Sequence, residues 1–425
     1  MEKIYKHFLE HRKICTDSRK VRTDCIFFAL SGKNFNGNLF AEEALKKGAA
    51  YAIVDQDVDY HNPRIIRVDN SLQYLQKLAT KHRLNFGIPV LAITGSNGKT
   101  TTKELIACVL SSAYNVHFTQ GNLNNHIGVP LTLLQLSESH DIAIIEMGAN
   151  HKREIADLCD IAQPTHGLIT NIGKAHLEGF GGIEGVKIGK GELLDYLDRV
   201  KGVAFVNESE QSLKDLFTRN HLKRVAYSNK SKHQGFIDVL NTSNQDSLSF
   251  EIDYNDCPTS KINTHLQGIY NLPNIVNAVC IGIYFHIHLE KIVTQIESYV
   301  PINNRSQLKS IGNNHFILDA YNANPTSMQV AIENFSKIDH PNKVAILGDM
   351  FELGEYSELE HQQLARFAIA SNLQKVIFVG NLFPNFNSNF NNVDELRSWF
   401  EDQQFENTYF LVKGSRGVAL EKLLD

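Results

Sequence analysis

The stretch from Ile88 to Glu104, Ile-Pro-Val-Leu-Ala-Ile-Thr-Gly-Ser-Asn-Gly-Lys-Thr-Thr-Thr-Lys-Glu, constrains this chain more than any other. Val90 to Ile93 is a continuous apolar run, the pattern of a strand covered on both faces. Gly95, Ser96, Asn97 and Gly98 then turn the chain. From Lys99 the spacing of Leu105, Ile106 and Val109 predicts a helix. Strand, glycine turn, Lys-Thr and helix form the frame of a phosphate-binding loop. The glycines let backbone N–H groups converge on phosphate oxygens, and the helix N-terminus adds a favourable dipole. In such a loop Lys99 reaches the outer phosphates and Thr100 holds Mg²⁺. The standard G-x-x-x-x-G-K-[ST] form needs a glycine where this chain has Ile93; here the first glycine is Gly95. The competing reading is a glycine-rich turn carrying an exposed lysine. A buried strand feeding straight into the turn favours the phosphate loop.

The surrounding pattern is α/β. Downstream, Asp141 to Glu146, Gly167 to Ile172 and Val203 to Asn207 read as buried strands alternating with helices, which implies a doubly wound, mostly parallel sheet. From about Val225 to Leu266 short alternating runs, such as Ser247 to Ile252, predict a small antiparallel sheet appended to it. Asn271 to Ile287 reads as a helix. Upstream, strands at Cys25 to Leu30 and Ala50 to Val54 and helices at Asn38 to Lys47 and Ser71 to Lys81 make a small α/β unit. Beyond Pro301, four apolar strands (Phe316 to Asp319, Val344 to Gly348, Val376 to Gly380, Tyr409 to Val412) predict a Rossmann-like unit without its own G-x-G-x-x-G. The Asn/Phe-rich stretch Asn381 to Asn392 reads as a surface loop. At 425 residues the chain exceeds one ordinary core. The expected division is 1–85, 86–300 and 301–425, with Asn85 to Pro89 as a hinge.

A net charge of −5 gives no support to a general nucleic-acid or anionic-membrane binder. Six scattered cysteines with no C-x-x-C pair argue against a disulfide framework or a structural zinc site. No apolar stretch approaches a membrane span, and Met1 to His7 lacks the apolar core of a signal peptide. A cytoplasmic location is expected.

Several polar residues sit at strand ends, where open α/β sheets bind ligands. Glu146 closes a strand, the place from which a phosphate-loop domain commonly supplies its metal-binding acid. His176 follows the strand ending at Ile172. Lys190, taken alone, reads as an exposed residue of a helix. Arg305 sits at a domain boundary. Asp319 ends a strand before Tyr321-Asn322-Ala323-Asn324-Pro325, a turn suited to capping the next helix. Lys413-Gly414-Ser415-Arg416-Gly417 again leads from strand to helix. On spacing alone these last three are a boundary arginine, a cap and a tight turn; the functional alternative is a second set of contacts to nucleotide or anion.

With these residues in view, the whole chain resembles the Mur ligases of peptidoglycan synthesis. The resemblance rests on Thr94 to Thr100, Asn122-Leu123-Asn124-Asn125 with Gly128-Val129-Pro130, Glu146-Met147-Gly148-Ala149, Thr170 to Glu178, Asn274 with Asn277, Asp319 to Pro325, and Lys413 to Arg416. Thr16 to Arg19 and Phe28 to Gly32 resemble the family's UDP-binding module. The Tyr-Asn-Ala-Asn-Pro and Glu-Met-Gly-Ala segments point to the member that joins D-alanyl-D-alanine to UDP-N-acetylmuramoyl-tripeptide.

The resemblance implies three domains, holding the UDP-sugar, ATP and the incoming amine in that order. It implies ATP contacts from Thr94, Gly95, Ser96, Asn97, Gly98, Lys99, Thr100, Thr101, Asn274, Asn277, Arg305 and Asp319. Two Mg²⁺ sites would draw on Thr100, Glu146, His176 and Lys190, the last matching the family lysine that becomes carbamylated. Lys99, His176 and Lys190 would be catalytic. Ser18, Arg19, Ser31, Asn122, Asn124, Asn322, Asn324, Lys413, Ser415 and Arg416 would contact substrates. A monomer is expected. The rivals are a sister ligase adding a single amino acid, a folylpolyglutamate synthase, and a phosphate-loop ATPase or regulatory protein without ligase activity.

Overall fold

The structure, a computed structural model, describes residues 2–57, 62–218, 222–227, 238–244, 247–253, 260–301, 305–384, 386 and 389–424. The chain forms two compact units. One comprises Met1–Ala92, Asn115–Gly148 and Glu154–Thr165, the other Ile93–Tyr114, Ala149–Arg153 and His166–Asp425.

The first unit opens with a helix, Glu2–His11, that buries Ile4 and Phe8. Four short parallel strands follow, in the order Ile14–Cys15, Ile26–Phe28, Tyr51–Val54, Ile65–Arg67. The apolar run at Cys25 to Leu30 is wholly buried, as its composition requires. On one face Cys25, Phe27, Ala29, Ala52 and Val54 pack with Ala41, Ala44 and Leu45. Those last three lie on the helix Ala41–Lys46, which stops before Gly48 as expected. The helix Ser71–Arg83 starts at Asn70, whose Oδ1 accepts the Gln73 N–H. Its buried Leu75, Leu78 and Ala79 repeat at three- and four-residue spacing. The same unit holds the parallel pair Val116–Phe118 and Ile142–Glu146 and the helices Gly128–Leu133 and Glu154–Ala162.

In the second unit, His166–Ile169, Val203–Asn207 and Lys223–Tyr227 run parallel in that order. They contribute to the mostly parallel central sheet. Val225 therefore belongs to this parallel run rather than to the antiparallel strands. The antiparallel strands form a sheet of their own: Asp238–Asn244, Leu248–Asp253 and Ser260–Asn263. The helix Leu272–Tyr284 packs on the helix Lys99–Leu110, so closely that a Cβ on Gly282 would come within 2.7 Å of Val109.

The C-terminal sheet orders its six strands as Gln307–Ile311, Asn314–Asp319, Tyr409–Lys413, Lys343–Gly348, Lys375–Val379, Asn389–Phe390, and only the first is antiparallel to its neighbour. Its four apolar strands are the expected ones. The Asn/Phe-rich stretch ends as an edge strand and is not simply a loop; the amides of Asn381 and Leu382 bond the Asp349 carboxylate.

His166 shows how burial sets a titration in this unit. Its ring stacks near Phe205, and its Nε2 lies 3.2 Å from the Tyr284 hydroxyl. Burial, with a smaller contribution from Lys223, pushes its pKa from 6.5 down to about 4. Above 6.5 the ring is neutral folded and unfolded, so it adds no pH dependence. Below 6.5 the unfolded chain takes up the proton first, and stability falls until about pH 4. His166→Phe is expected to flatten that part of the Tm–pH profile. An unchanged slope would contradict this account.

Candidate active site

The phosphate loop is held by the turn that follows His166–Ile169. Ser96 N–H donates to the Asn171 carbonyl at 3.0 Å, and Asn97 N–H to Asn171 Oδ1 at 3.0 Å. Thr170 Oγ1 and Asn171 Nδ2 donate to the Asn97 carbonyl at 2.6 and 3.1 Å. Ser96 Oγ both donates to the Gly173 carbonyl and accepts from Gly173 N–H. Two glycines are obligatory here. Gly95 has φ +139° and a Cβ would fall 2.1 Å from Thr170 Oγ1; Gly98 has φ +78° and a Cβ would fall 2.4 Å from Asn274 Oδ1.

Gly98 caps the helix Lys99–Leu110, so Lys99, Thr100 and Thr101 form its first turn. The first-turn N–H groups of such a helix form a ready anion site. Lys99 Nζ folds back on its own loop, 2.6 Å from the Gly95 carbonyl and 3.2 Å from that of Ser96. Asn274 takes a 3.0 Å bond from Thr102 and donates to Asn271. Asn277, 1% exposed, accepts from the Tyr227 hydroxyl at 2.6 Å.

In the first unit Glu146 ends its strand buried, with its N–H on Thr119 Oγ1 and its Oε1 accepting from Asn124 Nδ2 at 2.8 Å. Asn124 thus orients the carboxylate. Asn122 is exposed beside it. Ser18 and Arg19 lie in a short 3₁₀ turn capped by Asp17, whose carboxylate the Arg19 guanidinium holds down to about 2. Ser31 joins a network with Asn36 and Asn38.

Two residues differ from their sequence appearance. Lys190 is buried, not exposed: it lies inside the helix Ile183–Val200, donates to the Ala149 carbonyl at 3.0 Å and faces the Phe180 ring. His176 has a left-handed backbone, φ 54°, and its Nδ1 sits 2.5 Å from Glu352 Oε2 without the angle of a hydrogen bond. The imidazole holds Glu352 below the ordinary carboxylate range, against the effect of burial. Glu352, also at positive φ, had no signal in the sequence.

The C-terminal segment meets the phosphate loop through Asn324. Asn324 caps the helix Pro325–Ser336 through the Ser327 N–H and donates from Nδ2 to Asn97 Oδ1 at 2.7 Å. Lys174 N–H donates to Thr326 Oγ1, and its ammonium pairs with the buried Glu360 at 2.5 Å. Asp319 forms an ion pair with Lys413, both largely buried. Asn322 offers its carbonyl to that lysine at 3.5 Å. Ser415 bonds Phe351 N–H and the Asp349 carbonyl. Arg305 stacks on the Tyr321 ring, 3.8 Å from its centroid, with Arg416 5.6 Å from the same centroid. The structure thus brings Asn97 and Asn324 together, pairs Asp319 with Lys413, and sets Arg305 and Arg416 against the Tyr321 ring.

The chain and its fold resemble those of known proteins. Three domain families match in succession: "Mur ligase family, catalytic domain" over residues 11–83, "Mur ligase middle domain" over 93–282, and "Mur ligase, glutamate ligase domain" over 304–416. The UDP-N-acetylmuramoyl-tripeptide–D-alanyl-D-alanine ligase of Buchnera aphidicola subsp. Baizongia pistaciae is 35% identical, covering 99% of this chain and 93% of its own length. That of Bacillus subtilis is 32% identical, covering 97% and 92%. The crystal structure of MurF from Acinetobacter baumannii superposes with a TM-score of 0.87 at 29% identity, covering 97% of this chain and 92% of that one. The chain belongs to the Mur ligase family, in the branch of the UDP-N-acetylmuramoyl-tripeptide–D-alanyl-D-alanine ligases.

Proposed function

We propose that this chain joins D-alanyl-D-alanine to UDP-N-acetylmuramoyl-tripeptide at the expense of ATP, giving the pentapeptide nucleotide for peptidoglycan synthesis. The observation that carries this reading is end-to-end similarity to ligases of that name, 35% identical over 99% of the chain. The constructed loop from Thr94 to Thr100 supports the ATP requirement, and a related Thermotoga maritima ligase (26% identical) has been crystallised with ADP.

The chemistry follows from the leaving group. A carboxylate does not condense with an amine because oxide is a poor leaving group. Transfer of the γ-phosphoryl group makes an acyl phosphate; the amine attacks its carbonyl, and the tetrahedral intermediate collapses to amide and phosphate. Lys99 would offset the repulsion between carboxylate and triphosphate as they approach. Thr100 and Glu146 are hard oxygen donors of the kind Mg²⁺ accepts. Among the described residues no three His, Cys, Asp or Glu side chains cluster. Bound Mg²⁺ would supply further charge neutralisation.

Lys190 as an ammonium repels a cation; carbamylation would make it an anion able to support a second Mg²⁺ with His176. Residues 1–85 would hold the UDP-sugar through Ser18, Arg19 and Ser31. Residues 86–300 would hold ATP, with Asn274 and Asn277 toward the base. Residues 301–425 would bring the dipeptide, with Arg305 and Asp319 on phosphates and ribose and Asn322, Lys413, Ser415 and Arg416 toward the amine substrate. Closure of these parts would keep water from the acyl phosphate. The enzyme would act in the cytoplasm as a monomer. No helix among the described residues is long and apolar enough to cross a membrane.

Phosphate release from ATP tests the reading. It is expected only when both UDP-muramoyl-tripeptide and D-alanyl-D-alanine are present. Release driven by one amino acid would indicate a sister ligase, and release without either substrate a regulatory ATPase.

A further inference from the structure

Tyr321 carries two cations on one ring, and nothing in the proposed chemistry uses it. The Arg305 guanidinium lies 3.8 Å from the ring centroid, in stacking contact, and the Arg416 guanidinium lies 5.6 Å away. Two guanidinium groups held against one ring repel each other. The ring attracts each through its quadrupole and so offsets that repulsion.

The backbone beneath is equally specific. Ser306, next to Arg305, takes a left-handed φ of 49°. Its N–H reaches Asp319 Oδ1 at 3.4 Å, and its hydroxyl lies 2.9 Å from that of half-buried Tyr270. Arg305 therefore leaves a pinned turn at a fixed point and has the Tyr321 face to lie on. Arg416 reaches the same ring from beyond the strand Tyr409–Lys413, in which Lys413 pairs with Asp319.

We infer that Tyr321 is a positioning residue: its ring sets the spacing of Arg305 and Arg416, so that the two act as one receptor for anionic oxygens and link the nucleotide side of the reaction to the dipeptide side. This rests on the assignment of Arg305 to ATP and Arg416 to the amine substrate. The ligands concerned are the terminal phosphates of ATP and the carboxylate of D-alanyl-D-alanine. Both are planar or tripodal sets of oxygens suited to guanidinium forks. The hydroxyl of Tyr321 has no part in this; the aromatic face does.

The test compares Tyr321→Leu, which keeps bulk and removes the π face, with Tyr321→Phe, which keeps the face. In the full-length enzyme, with UDP-muramoyl-tripeptide saturating, Tyr321→Leu is expected to raise KM for ATP and for D-alanyl-D-alanine by about tenfold each, with kcat within about twofold. Tyr321→Phe is expected to restore both KM values. The double variant Tyr321→Leu/Arg305→Ala is expected to be no worse in KM for ATP than Arg305→Ala alone.

Unchanged KM values in Tyr321→Leu, a Phe variant as impaired as the Leu variant, or additive effects in the double variant would overturn the inference. If Tyr321→Leu does not fold, the Phe variant and an Arg416→Ala/Tyr321→Phe pair decide it: a raised KM in Tyr321→Phe alone would assign the role to the hydroxyl. Wild-type protein inactive with D-alanyl-D-alanine would instead overturn the proposed function, an outcome separate from any of these.

Discussion

Replacing Lys99 with alanine is expected to lower turnover by roughly 10³-fold at saturating ATP. The side chain is no strut of the core. Its ammonium lies over the phosphate loop on the carbonyls of Gly95 and Ser96, and the loop's shape is maintained by other bonds, from Thr170, Asn171 and Gly173. The variant should therefore fold, melt close to wild type and lose the charge that stabilises the transferring phosphoryl group. Steady-state kinetics over a range of ATP concentrations separates weaker binding from slower chemistry. Near-wild-type turnover at saturating ATP would remove Lys99 from the mechanism.

The second large effect is on stability. Asp319→Ala leaves Lys413 buried without the carboxylate it pairs with, and Lys413 is 3% exposed. Removing one partner of such a pair costs roughly 3–5 kcal/mol, because the remaining charge is desolvated and uncompensated. Thermal unfolding should show a clear drop in the transition that includes the C-terminal sheet. The double change Asp319→Leu/Lys413→Met should recover most of that loss, since apolar residues of similar volume can replace a buried pair. It should not recover ligation, which the proposed function assigns in part to these two groups. An Asp319→Ala protein that melts like wild type would show that the pair contributes little.

What the sequence revealed follows from how each element is buried. Val90–Thr94, Ile142–Glu146 and Tyr409–Lys413 are covered on both faces or nearly so, and each appears as an unbroken apolar run. Gln307–Ile311 is an edge strand with three of its five residues exposed, and its composition carries no such run. The helix Glu2–His11 buries only Ile4 and Phe8, too little to stand out from a polar terminus. The sequence pattern places Val225 in the antiparallel sheet, whereas it lies in the parallel one, because a short alternating strand reads alike at a parallel edge and in an antiparallel sheet.

The site divides in the same way. Lys99 was legible because the loop's chemistry depends on local order: glycine, lysine and threonine at fixed spacing. Lys190 was not, because nothing within a helix tells an exposed lysine from one that neighbouring segments bury; here the Ala149 carbonyl and the Phe180 ring do so. Glu352 lies far along the chain from His176 and meets it only through tertiary folding. Asn324 was legible as a cap and also, by resemblance, as a site residue. The structure shows the cap directly.

Asn324 spends one side chain on two obligations. Its Oδ1 accepts from the first turn of Pro325–Ser336, and its Nδ2 holds Asn97 in the loop. A hydrogen bond shared in this way makes the two ends thermodynamically linked, and linkage is reciprocal. Whatever moves Asn97 alters how well that helix is capped, and whatever frays the helix loosens Asn97. The exchange rate of the Ser327 amide proton is thus a readout of the loop's conformation, taken more than two hundred positions away along the sequence.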